Sequence, residues 1–135
     1  MTDIHAELVS GRFTANPPAS REEIARVQNE LTFPLPKSYV NFLMAANGGE
    51  GFIGNAYVIL WKVDELIHKN ISYNVAEFAP GTFLFGSNGG GEAFGFDTRS
   101  EAGSIVSIPF ITMEEKDAIP LALDFEAFLS RMLSR

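Results

Sequence analysis

The chain predicts a single α+β domain, a largely antiparallel sheet covered by amphipathic helices, and three observations predict it. Segments starting at Ser20, Leu35 and Asp124 carry apolar residues at helical spacing. Short apolar and aromatic runs alternate with glycine-rich turns, the mark of hairpins whose consecutive strands pair antiparallel. The total length of 135 residues suits one core and is too short for two ordinary ones. The resulting order, α-α-β-β-α-β-β-β-α, is α+β. No repeat, low-complexity tract or linker divides it.

Residues 1–19 read as a lead-in ending in Asn16-Pro17-Pro18-Ala19, and residues 20–135 as the domain. Ser20 and Glu23 form a capping-box pair, since the hydroxyl can accept from the N–H three residues on while the glutamate reaches back. Ile24, Val27 and Leu31 line one face of that helix. Thr32-Phe33-Pro34-Leu35-Pro36 is a stiff link. Pro36 suits a first helical position, Tyr39, Phe42, Leu43 and Ala46 form the buried stripe, and Gly48-Gly49 is expected to cap the C-terminus. Gly51-Phe52-Ile53-Gly54 and Ala56-Tyr57-Val58-Ile59-Leu60-Trp61 read as a hairpin. Val63, Leu66, Ile67 and Ile71 return to helical spacing.

Beyond Ala79-Pro80-Gly81, a strand over Thr82 to Gly86 and another over Glu92 to Asp97 flank the turn Ser87-Asn88-Gly89-Gly90-Gly91. Phe83 and Phe85 share one face, as do Phe94 and Phe96, so these pairs should meet across the hairpin and fill core. Ser104 to Phe110 reads as a strand that lies at an edge or ends at Pro109. Asp124 caps the last helix, which presents Phe125, Phe128, Leu129 and Met132.

Composition excludes several function classes. Zero cysteines remove disulfides, thiolate catalysis and Cys-containing zinc sites, and suit a reducing cytoplasm. The N-terminus lacks a basic region and a long apolar run, and no window approaches the roughly 18 apolar residues of a membrane span. A soluble cytoplasmic protein is expected. Seventeen acidic and ten basic side chains leave a net charge of −7, which repels phosphate backbones and anionic lipid and favours basic partners. Neither nucleic acid nor membrane is expected as a partner.

Chemistry-bearing motifs are absent by the same reading. The glycine run lacks the Lys-Ser or Lys-Thr and the following helix of a P-loop, and Glu92 would put a carboxylate where phosphate must lie. His5 and His68 have no metal-ligand spacing, and no serine has an identifiable base. No catalytic residue, cofactor or metal site is expected, and the chain reads as a non-enzyme.

Together, Leu35-Pro36, Tyr39, Phe42-Leu43 and Asn47-Gly48-Gly49 form a pattern that resembles the SUKH superfamily, whose founding members include the yeast cell-wall-assembly regulators of the Smi/Knr type. The helix from Ser20, the segment Phe83 to Asp97 and the closing Asp124-Phe125-Glu126-Ala127-Phe128-Leu129 agree in order over roughly residues 20–133. The resemblance implies a non-catalytic protein-binding domain. Bacterial members are mostly immunity proteins that neutralise toxins of polymorphic or contact-dependent systems, many of them nucleases, so a basic toxin domain is the expected partner. The alternatives are a regulatory scaffold, as in the eukaryotic members, and a small-molecule binder or small enzyme built on a polar pocket.

An acidic domain docking on a basic toxin requires acidic and aromatic side chains on one surface. The candidates are Glu50, Phe52, Trp61, Asp64, Glu92 and Glu101, with Ser87, Asn88, Gly89, Gly90 and Gly91 beside them. Trp61 reads first as core or rim, and is included because tryptophan is enriched at interface centres. No particular toxin and no oligomeric state follows from these residues.

Overall fold

A computed structural model describes residues 11–100 and 103–134. Seven strands form one antiparallel sheet in chain order: β1 Arg12–Ala15, β2 Gly49–Ile53, β3 Ala56–Leu60, β4 Thr82–Ser87, β5 Glu92–Asp97, β6 Ile105–Pro109 and β7 Ile119–Ala122. The helices are α1 Arg21–Glu30, α2 Lys37–Ala45, α3 Leu66–Ser72, α4 Val75–Phe78 and α5 Phe125–Leu133. The α+β architecture is as expected, with two added strands. β1 emerges from the lead-in, where a single buried residue, Phe13, shows no alternation to read. β7 contains Pro120, which argues against a strand yet is tolerated at the sheet edge that β7 occupies.

Local rules explain the helix ends. Ser20 and Glu23 make the reciprocal capping box of α1, at 3.1 Å in each direction, and Asp124 accepts from the Ala127 N–H at 2.8 Å. Such caps stabilise by about 1 kcal/mol each. Pro36 stands one residue before α2, and the chain leaves that helix at Ala46 in extended conformation. The glycines therefore do not cap it. Gly48, with φ +73°, lets the turn approach β3 so closely that a Cβ would lie 2.3 Å from the Leu60 carbonyl oxygen.

The core is aromatic. Tyr39 of α2 packs on Phe96 at 5.0 Å and on Phe125 of α5 at 5.1 Å, while Phe128 meets Phe94 at 5.0 Å and Phe85 at 5.4 Å. Fully burying each such ring stabilises by about 1.5–3 kcal/mol, with tilted and edge-on pairing adding to it. Phe85 sits 4.6 Å from Phe96, as the strand pattern predicts, whereas Phe83 turns its ring to Phe33 at 5.1 Å. A bulge between Leu84 and Gly86 separates the two roles.

The junction of β3 and β4 positions the site. Only Ile59↔Ser87 and Leu60↔Gly86 pair there, followed by a hydrogen bond from Trp61 N–H to the Phe85 carbonyl. Past that point Asn70 of α3 takes over as a surrogate strand. Its Oδ1 accepts from the Leu84 N–H at 2.8 Å and its Nδ2 donates to the Leu84 carbonyl at 3.0 Å. The chain after β3 is thereby free to turn through a 3-10 turn at Val63–Glu65 into α3.

Candidate functional site

One face of β1–β3 carries Phe13, Ile53 and Val58 and is buried. The opposite face is open. There Thr14↔Glu50, Glu50↔Ile59 and Ile59↔Ser87 are register partners, so four strands contribute one row of side chains to a common face. This row floors a groove of about 880 Å3. The turn between β4 and β5 bounds one side of it, and Trp61, Glu65, Lys69, Tyr73 and Phe110 bound another.

The turn is held by its own side chains. Asn88 Oδ1 accepts from the N–H groups of Gly90 at 2.8 Å and Glu92 at 3.1 Å, and Ser87 Oγ accepts from Gly89 N–H at 3.2 Å. Gly89 and Gly91 take positive φ, as a tight hairpin turn requires, and a Cβ on Gly91 would meet nothing within 4 Å. The backbone here is thus accessible to a partner.

Along the wall, Trp61 and Tyr73 stack at 6.2 Å and Tyr73 meets Phe110 at 4.7 Å. The Lys69 ammonium lies 5.4 Å from the Trp61 ring centroid. Trp61 is itself only 6% exposed, so it supports the wall while Tyr73, at 41%, faces solvent. On the floor Tyr57 donates its hydroxyl to Glu50 Oε2, and that bond to a carboxylate raises the Tyr57 pKa above the usual phenol range. Phe52 lies on the same open face, edge-on to Tyr57 at 5.2 Å and beneath the Arg12 guanidinium at 4.6 Å.

The structure divides the residues nominated from sequence. Glu50, Trp61, Ser87, Gly89 and Gly91 line the groove, Asn88 and Gly90 complete its turn, and Phe52 flanks it. Glu92 leaves the sheet on the other side. It is two residues from Phe94, which packs against α5, and it accepts from Ser107 Oγ at 2.9 Å. Strand alternation therefore directs Glu50 and Glu92 to opposite faces of the sheet. Asp64 is exposed on the 3-10 turn, where its neighbour Glu65 reaches the groove instead. Glu101 and His5 lie outside the described residues.

Sequence reading missed Thr14, Asn16, Tyr57, Lys69, Tyr73 and Phe110. Tyr57 and Ile59 share strand alternation, which was a signal for a common face. Tyr73 and Phe110 are joined only by tertiary packing. Among the described residues the buried side chains include the hydroxyls of Tyr39, Ser87 and Ser107 but no carboxylate.

The model of the SMI1 / KNR4 family (SUKH-1) matches residues 18–131. The chain belongs to this family. No curated protein matches it. SUKH domains are generally non-catalytic and their family suggests protein–protein interaction, which suits an open groove walled by aromatic rings. Among the described residues no helix of this SUKH-1 domain is long and apolar enough to cross a membrane.

Proposed function

We propose that the chain is an immunity protein, a non-catalytic cytoplasmic domain that neutralises a basic toxin, such as a nuclease of a bacterial polymorphic or contact-dependent system. The observation that carries this reading is the open-face groove, where Glu50, the aromatic wall and the bare glycine turn adjoin one another. A net charge of −7 steers a basic partner towards the domain, and an occupied nucleic-acid groove on that partner can no longer receive phosphate. Glu50 supplies the central charge and the wall around Tyr73 supplies apolar area. Glu92 is no part of this surface.

The test is calorimetric titration with the toxin domain encoded beside this chain's gene, at low and high salt. Binding should weaken with salt, and Glu50→Lys should weaken it by about tenfold, equivalent to about 1.4 kcal/mol. Glu126→Lys, an exposed change on α5, should leave affinity unchanged. Absence of binding, or equal losses in both variants, overturns the reading. Binding instead to an endogenous regulatory protein would replace it by the scaffold.

A further inference from the structure

We propose that a second groove, formed by α1, α3, α4 and β4, docks a segment of another protein that places one large apolar side chain between lysines or arginines. The groove holds about 450 Å3 and shares no lining residue with the open-face groove. Leu31, Phe33, Ile67 and Phe83 give it an apolar lining, and Phe33 stands edge-on to Phe83 at 5.1 Å. Ile71 also lines it and is 67% exposed, an aliphatic surface that water contacts only at a cost.

Charge selects the occupant. The charged residues lining this groove are Glu30 and Glu77, both exposed, and neither has an ion-pair partner among the described residues. Glu30 is moreover the last residue of α1, whose final turn contains no basic side chain. A carboxylate there lies against the negative end of the helix dipole, which a cation would complement. An apolar site edged by two unpaired carboxylates and a helix C-terminus favours an apolar anchor with flanking positive charge, and repels phosphate and anionic membranes. This inference does not depend on the toxin reading, because the two grooves are tested by different residues.

The probe is the capped peptide Lys-Lys-Phe-Lys-Lys, titrated into the isotopically labelled full chain and followed by amide NMR shifts, with Glu-Glu-Phe-Glu-Glu as comparison. The basic peptide should shift the amides of Leu31, Phe33, Ile67, Ile71 and Glu77 saturably, and the acidic one should not. The double variant Glu30→Lys, Glu77→Lys should bind about tenfold more weakly. Ile71→Ser should also weaken binding, and all three positions are exposed enough for the variants to fold. Equal shifts with both peptides, shifts confined to the groove around Glu50, or unchanged affinity in the double variant would overturn the proposal. So would movement of the same amides with the chain's own concentration, which would assign the groove to a second copy.

Discussion

Replacing Asn70 with alanine should remove a side chain that acts as a strand. Its amide satisfies both backbone groups of Leu84, at 2.8 and 3.0 Å, and also donates to the Leu66 carbonyl at 2.8 Å. Leu84 is 0% exposed, so its N–H and C=O would be left without partners in the interior. Each orphaned buried group costs about 1–3 kcal/mol, and two give about 2–6. Because Asn70 itself is half-buried and water can reach its place, about 3 kcal/mol is the expected loss, a large share of the roughly 5–15 kcal/mol of a typical domain. Urea unfolding reads this directly, and thermal melting should fall by about 10 °C for a chain of this size. Hydrogen exchange should show the Leu84 amide protected in the parent and exchanging faster in the variant. Asn70→Asp should keep the acceptor for Leu84 N–H, lose the donor, and recover in acid when its protonated carboxyl can donate again. A loss below about 0.5 kcal/mol, with Leu84 still protected, would refute the argument and mean that the bulge stands without Asn70.

Two further predictions concern the core and its outer latch. The Tyr39 hydroxyl is buried with no partner among the described residues, and burial drives its pKa far above the usual phenol range. Tyr39→Phe should therefore leave stability unchanged or raise it by up to about 1 kcal/mol in urea unfolding, and a clear loss would show that the hydroxyl is satisfied after all. Glu115 has its pKa lowered, chiefly by the Gly81 N–H that its carboxylate accepts from; burial opposes this, and the Arg99 guanidinium lowers it further. Its contribution to stability is complete above the ordinary glutamate range and disappears as pH falls through the lowered folded value. Glu115→Gln should thus be slightly less stable than the parent at neutral pH and converge with it in acid. The Arg99 partner is 65% exposed, so the difference should be small, and a gap that widens in acid would contradict the assignment.

Much of the fold was legible because its signals are local. The capping box at Ser20, the cap at Asp124 and the phenylalanines of α5 follow from spacing along a few residues. The turn after Ser87 was equally plain, since only glycines meet its positive φ cheaply. β1 and β7 were not legible, because edge strands of four residues with Gly51 or Pro120 in their pairing carry little alternation. The site was legible only in fragments. Glu50 and the glycine turn reached the groove, but whether a strand residue meets solvent or core depends on which face the helices cover.

The sequence by itself determined the α+β class, the helix N-caps at Ser20 and Asp124, the aromatic core residues and the acidic balance, each through the chemistry of near neighbours or of the whole composition. The tertiary structure decided the rest. The short β3–β4 pairing let Asn70 replace a strand, turned the chain after Trp61 across the open face, and brought Tyr73 and Phe110 together. Strand alternation then sent Glu50 and Glu92 to opposite sides. These outcomes depend on register and on which layer packs where, and no residue carries that information alone.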